Sequence, residues 1–172
     1  MNEIEQTNKV KILKELHKNA RASVLEIAEK TGLSRQTVAK TISNMEKKKE
    51  IWGYTAIFNP ELIGEKPFIF LLKLDLSINT DDFLKKVTNS EMIKDHEEKY
   101  GVKTSMYLHG DSDVFSLVWT KDIIEAKKLM NDYKKTLAPN LKEIYLFDVL
   151  ATFRNNGIAN PKMAEEWTNL II

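Results

Sequence analysis

Ser34, Arg35, Gln36, Thr37, Lys40 and Ser43 bring hydroxyls, a guanidinium fork, an amide and an ammonium into one short stretch. Together with the small methyl of Ala39, these are the side-chain types that read base edges in a major groove. Lys47, Lys48 and Lys49 follow directly and suit phosphates, which position a protein on DNA without specifying sequence. A second cluster, His109, Gly110, Asp111, Ser112 and Asp113, could be read as a divalent-metal group, or His109 with an aspartate as half of an acid–base pair. One turn supplies too few rigid ligands, however, and Asp and Gly are what the backbone itself needs there. His17 and His96 stand in charged helical stretches and read as solvated. Ser105 has no base beside it, no phosphate-cradling glycine loop is present, and the absence of cysteine removes thiol nucleophiles, zinc knuckles and disulfides. The residues point to no catalytic centre, no metal and no cofactor.

The elements that must position the first cluster are short. Val38, Ile42 and Met45 form an i, i+4, i+7 stripe, which places Gln36, Lys40, Ser43 and Lys47 roughly 200° round the helix at ~3.6 residues per turn. Ser34 caps that helix. Before it, Ser23 with Glu26 makes a capping box, and Val24, Ile27, Ala28 and Thr31 give a second helix an inner face. Gly32 supplies the left-handed corner between the two. Ile12, Leu13, Leu16 and Ala20 mark a first helix after a Thr7–Asn8 start. Ala28, Gly32 and Val38 have the spacing of small, turn and buried positions in a helix-turn-helix. Ile51–Phe58 reads as a strand or wing stopped by Asn59–Pro60, and Gly64–Pro67 as a hinge.

From Phe68 the period changes to two. Phe68, Phe70, Leu72, Leu74, Leu76 and Ile78 share a face. A helix from about Asp81 carries Phe83, Leu84 and Val87 and runs on through Met92 and Ile93. Val102–Leu108 and Val114–Trp119 are strands joined by the His109–Asp113 turn. A helix bearing Ile123, Ala126, Met130, Tyr133 and Leu137 follows, and Leu141–Phe153 is a last strand. The order is β-α-β-β-α-β, a ferredoxin-like antiparallel sheet with both helices on one side. In the last strand Ile144, Leu146 and Leu150 oppose Tyr145, Phe147, Val149 and Phe153, and in the third strand Phe115, Leu117 and Trp119 oppose Val114 and Val118. Both faces are apolar. Two helices cover only one of them, so the other predicts a second copy, sheet on sheet. A tail helix capped at Asn160–Pro161 carries Met163, Ala164, Trp167, Leu170 and Ile171 on a stripe expected to dock.

The fold class is therefore α+β, in four segments: 1–53, a winged helix-turn-helix domain; 54–67, a linker strand and hinge; 68–154, the sheet domain; and 155–172, a helical tail. The 172 residues carry a net charge of +1, with 42% hydrophobic and 30% charged residues. That charge divides into +4 over residues 1–60 and −3 over 61–172. A basic front half suits an anionic partner. The longest apolar run, Phe68–Leu72, is too short to cross a bilayer, and the start Met-Asn-Glu-Ile-Glu lacks a basic head, so a cytoplasmic protein without a membrane partner is expected.

Taken together, Ile12-Leu13…Leu16, Ala20-Arg21, Leu25–Ala28, Gly32-Leu33-Ser34, Val38, Met45-Glu46, Gly53–Ala56, Asn59-Pro60, Leu62 with Gly64, and Gly110…Asp113 resemble the Lrp/AsnC (feast/famine) transcription regulators over nearly the whole chain. The resemblance implies a DNA-binding domain joined to a ligand-responsive RAM domain. It implies dimers formed through the RAM sheet, assembling in many members into tetramers or octamers. It further implies an amino-acid effector, with His109, Gly110, Asp111, Ser112 and Asp113 as the contacting turn. Double-stranded DNA carrying a pseudo-palindromic operator is the expected partner. The alternatives are an amino-acid-sensing RAM module acting through assembly, with little operator specificity of its own, and an enzyme built on a ferredoxin-like domain, which the missing nucleophile and cofactor motifs disfavour. Two departures stand out. Relatives carry glycine where Lys49–Glu50 stand, and a non-glycine left-handed cap costs roughly 1 kcal/mol, so the third helix is expected to run longer. Leu146–Phe147 stand where relatives often place a Ser or Thr that touches an effector, which argues against a standard amino-acid pocket, and the longer tail is a candidate to fill that space.

Overall fold

In the computed structural model, residues 3–87 and 100–171 are described. Contacts divide the chain into two units, Met1–Ile57 with Phe153–Pro161, and Phe58–Thr152 with Lys162–Ile172.

The first unit holds α1 (Glu3–Lys18), α2 (Val24–Thr31) and α3 (Arg35–Lys47). Ile12, Ile27, Ala28, Val38 and Met45 are its buried core, with Leu16, Val24, Leu33, Ile42 and Ile51 packed against it. Leu13 and Ala20, expected inside, are exposed; α1 instead turns Lys9 and Ile12 inward. It also starts earlier than the expected Thr7–Asn8 cap, because Thr7 donates to the Glu3 carbonyl within the helix. Ser23 and Glu26 close both arms of the capping box, and the Ser23 amide and hydroxyl hold the Glu26 carboxyl below its ordinary range. Gly32 takes φ 71°.

Ile51–Phe58 forms no strand in this chain: the segment is irregular, and Trp52 is 98% exposed. A strand needs a partner, and within the described residues none pairs with it. The chain supplies a hairpin elsewhere. β5 (Arg154–Asn155) and β6 (Ile158–Ala159) pair across Asn156 and Gly157, both at positive φ, and belong to the first unit. An Asn-Gly step between short strands is the signature of such a two-residue turn, and it was legible at these positions.

In the second unit, a 3-10 turn at Pro60–Ile63 ends on Gly64 (φ 75°) and leads into β1 (Lys66–Leu74). The expected hinge therefore gives way to strand already at Lys66. α4 (Thr80–Val87), β2 (Val102–Tyr107), β3 (Val114–Thr120), α5 (Ile123–Thr136) and β4 (Leu141–Asp148) follow, with α6 (Met163–Ile171) in the tail. The helix expected through Met92 and Ile93, and His96, lie outside the described residues. The sheet order is β2-β3-β1-β4, antiparallel throughout, the βαββαβ arrangement expected. β4 ends at Asp148 rather than at Phe153.

Phe68, Phe70, Leu72, Leu74 and Val118 meet Phe83 of α4 and Ala126, Leu129, Tyr133 and Leu137 of α5. Leu129, not Ile123, completes the α5 stripe; Ile123 is exposed. The other sheet face sets Ile69 between Leu117 and Phe147, and Leu71 between Phe115 and Tyr145. Tyr145 and Phe147 remain about half exposed, as do Met163, Trp167 and Leu170 of α6, so the tail stripe is not buried as expected.

The loop after β1 is tied at both ends. Asn140, itself buried, donates to the carbonyls of Asp75 and Ile78. Asp75 accepts from the Ser77 hydroxyl and amide and pairs with Lys142 at 3.1 Å. The Ser77 hydroxyl first, then Lys142 and the Ser77 amide, hold the Asp75 carboxyl down at about 2. Because the folded-state value is depressed, the stabilisation is complete above the ordinary carboxylate value and is lost as pH falls through about 2. NMR titration is expected to place the Asp75 midpoint there, and Ser77→Ala to raise it towards the ordinary value. A Ser77→Ala midpoint equal to the parent's would show that the hydroxyl does not hold the carboxylate.

Candidate nucleic-acid interface

α3 is built to be entered from its outer side. Ser34 Oγ accepts from the Thr37 amide at 3.1 Å and lies 2.8 Å from the Thr37 hydroxyl. Both hydroxyls are therefore engaged at the helix start, where they orient the first turn. Arg35, Gln36 and Lys40 are exposed beyond it, while Val38 and Met45 are fully buried beneath. Thr37 and Ser43 are half-buried, at the margins of this face. Lys47, Lys48 and Lys49 are all exposed at the far end.

The end of α3 departs from the expected extension. The helix stops at Lys47, and Lys49 takes φ 56°. The Glu50 amide reaches the Met45 carbonyl at 2.8 Å, and the Lys49 amide reaches Glu46 at 3.0 Å. This is a Schellman closure with lysine at the position glycine normally fills. It is held from outside the helix. Glu50 turns inward and receives the Lys9 ammonium on both carboxylate oxygens, at 2.9 and 2.8 Å. The Lys9 side chain is 6% accessible and that of Glu50 38%. Beside it the Tyr54 hydroxyl donates to Glu46 at 2.9 Å, and its own burial, followed by Glu46, pushes the phenol above its ordinary value. Lys9 was not singled out by the sequence reading, although its spacing to Ile12 and Leu16 (i, i+3, i+7) places it on the inner stripe.

Lysine in a left-handed cap carries strain of about 1 kcal/mol, partly offset in a glycine variant by the greater freedom of the unfolded chain. Lys49→Gly is thus expected to raise the melting temperature slightly. Thermal melting checks this, and a lower melting temperature would refute the strain.

At the other cluster, Asp113 is committed to the backbone. Its carboxylate accepts from the Leu74 amide at 2.7 Å, its own amide donates to Leu72, and its carbonyl accepts from Leu108. Lys73 donates to the Gly110 carbonyl at 3.2 Å. His109, Gly110 and Asp111 are exposed, and Ser112 is half-buried. Among the described residues no group of three or more His, Asp or Glu could hold a metal ion. Leu146 turns into the helix-covered core and Phe147 onto the open face, so only Phe147 is available on that surface.

Comparison with known proteins accords with this arrangement. Residues 6–48 match the winged helix-turn-helix DNA-binding family. The HTH-type transcriptional regulator LrpA of Pyrococcus horikoshii is 31% identical over 69% of this chain and 77% of its own length. The chain belongs to the Lrp/AsnC family of transcriptional regulators. An uncharacterised HTH-type transcriptional regulator of Pyrococcus furiosus is 30% identical over 86% of this chain and 92% of its own. In fold, a transcriptional regulator of Neisseria meningitidis solved as a complex with L-Met superposes with a TM-score of 0.63, covering 96% of this chain and 99% of that one at 16% identity. As in other Lrp/AsnC proteins, a winged helix-turn-helix precedes an antiparallel α+β domain, and the chain is a regulator, not an enzyme. No helix of the described residues is long and apolar enough to cross a membrane.

Proposed function

We propose that this Lrp/AsnC protein is a sequence-specific DNA-binding regulator that acts as a homodimer on a pseudo-palindromic operator. The observation that carries the reading is the outer face of α3: Arg35, Gln36 and Lys40 stand exposed above a fully buried Val38 and Met45, with a capped helix start beside them. Arg35 forks onto a base; Gln36, Lys40 and Ser43 line the same groove; Lys47, Lys48 and Lys49 bind phosphates. Ser34 and Thr37 act chiefly by fixing the first turn and presenting its amides. Two such helices in one dimer read half-sites about 34 Å apart. The open apolar sheet face supports dimerisation through the RAM sheet, and the His109–Asp113 turn, exposed at His109, Gly110 and Asp111, is where a small effector such as an amino acid binds; the Neisseria regulator of like fold was itself solved with L-Met.

Binding sites selected from random DNA supply the operator for the test. On it, Arg35→Ala is expected to cost ~1–3 kcal/mol and to relax preference at one base position. Lys48→Ala is expected to weaken binding to all sequences alike and to reduce the salt slope by about one unit. Parent-like binding by both variants in a filter or fluorescence assay would remove α3 as the reader.

A further inference from the structure

The sequence contains a single Asn-Gly step, Asn156–Gly157, and the fold sets it at the solvent-exposed tip of the β5–β6 hairpin. Both residues hold positive φ, 45° and 83°. The hairpin around them is slight: Arg154 pairs with Ala159 and Asn155 with Ile158, and the Asn160 amide closes the base on the Phe153 carbonyl at 3.0 Å. A two-stranded hairpin so short is marginal by itself and opens at little cost. Among the described residues no hydrogen bond holds the Asn156 carboxamide or the Gly157 amide. Two basic side chains stand over the turn. Arg154 donates to the Gly157 carbonyl at 2.6 Å, and Nε2 of His17 in α1 lies 3.6 Å from where a Cβ on Gly157 would sit. Among the described residues neither has a carboxylate within 4.0 Å.

We propose that Asn156 is a site of intramolecular deamidation in the native protein, and that its isoaspartate product undoes the hairpin. Asparagine is a thermolabile residue, and a glycine after it removes the Cβ that otherwise hinders approach of the following amide. When the turn opens, the Gly157 nitrogen attacks Cγ of Asn156. Its proton passes to water, the carboxamide nitrogen takes up a proton and leaves as ammonia, and a succinimide ring closes. Water then breaks one ring C–N bond: cleavage at Cγ gives aspartate, and cleavage at the backbone carbonyl gives isoaspartate, whose main chain runs through the side-chain methylene. The net change is water consumed and ammonia released, with nothing oxidised or reduced. Either product places a carboxylate beside Arg154 and His17, where a charge-assisted bond stabilises it. Isoaspartate also lengthens the backbone of the turn, and turn length fixes the register of a hairpin, so the pairing of Arg154 with Ala159 and of Asn155 with Ile158 is lost. The hairpin belongs to the first unit, so the unit that carries α3 loses its C-terminal strands as the protein ages. The site does not depend on how α3 reads DNA.

Peptide mapping by mass spectrometry tests this on the folded full chain, incubated in warm, mildly alkaline buffer beside a free peptide spanning residues 153–160. Asn156 is expected to convert ahead of every other asparagine in the chain, giving both aspartate and isoaspartate at position 156. Limited trypsin digestion reads the hairpin: cleavage after Arg154 is expected to be at least about tenfold faster in the isoaspartate form than in Asn156→Asp, which keeps the turn length, a factor equivalent to about 1.4 kcal/mol of lost pairing. An Asn156 amide that persists in the folded chain while the free peptide converts would show that the fold shields it and would overturn the proposal. Earlier conversion of another asparagine, such as Asn19 or Asn155, would overturn the selection by Gly157. Equal cleavage after Arg154 in the isoaspartate form and in Asn156→Asp would overturn the loss of the hairpin.

Discussion

Phe147→Glu is expected to convert the protein to a folded monomer in sedimentation velocity and to raise the dimer dissociation constant at least ~100-fold, which corresponds to about 2.7 kcal/mol. The reasoning starts from the sheet. Phe147 sits opposite Ile69 on the face turned away from α4 and α5, in a patch continued by Leu71, Phe115, Leu117 and Tyr145. A patch of this size and composition is normally covered. In a two-fold dimer each substitution is present twice, so two unpaired carboxylates are buried at once. Operator affinity then falls in parallel, because one half-site contact has to serve where two did. Phe147→Leu, which keeps the surface apolar, is expected to stay dimeric. Leu146→Glu is the contrasting case: Leu146 belongs to the helix-covered core, and its replacement is expected to unfold the second unit. A Phe147→Glu protein that stays dimeric with the parent's operator affinity would remove this face from assembly.

Glu50→Ala is expected to cost the first unit about 2–3 kcal/mol, below the full ~3–5 kcal/mol for breaking a buried pair because Glu50 is partly open to water. The Lys9 side chain is 6% accessible and meets both oxygens of Glu50. Removing the acid therefore takes a two-oxygen partner from an ammonium that is almost shut off from water. Restoring an apolar match should recover most of the loss, so Lys9→Met combined with Glu50→Ala is expected to be more stable than Glu50→Ala alone. Denaturant unfolding of the three proteins measures the coupling. Since the Lys9–Glu50 pair also anchors the residue whose amide closes the end of α3, the single variant is expected to bind the operator more weakly. A loss under about 0.5 kcal/mol, with no recovery in the double variant, would show the pair to behave as an ordinary surface contact.

What the chain's order of residues determined by itself was everything that acts over a few positions. The Ser23–Glu26 box, the Gly32 corner and the Ser34 cap satisfy amides within three residues of themselves, so their types reveal them. The Val38–Met45 stripe and the alternation of β1 follow from the two backbone periods, and the outward face of α3 follows from the first of these. Even the Asn156–Gly157 turn was readable from a dipeptide. Tertiary structure decided the rest, because it depends on which distant groups meet. Lys9 finds Glu50 forty-one residues away, and that meeting lets a lysine occupy the left-handed cap where the local rule called for a longer helix. Ile51–Phe58 has strand-forming residues but pairs with no strand among the described residues, and pairing is what makes a strand. Glu65 is unremarkable in sequence, and only the fold that closes over its carboxylate leaves one oxygen without a donor among the described residues. Local hydrogen bonds and periodicity are written in neighbouring residues, whereas desolvation and its compensation are properties of packed surfaces.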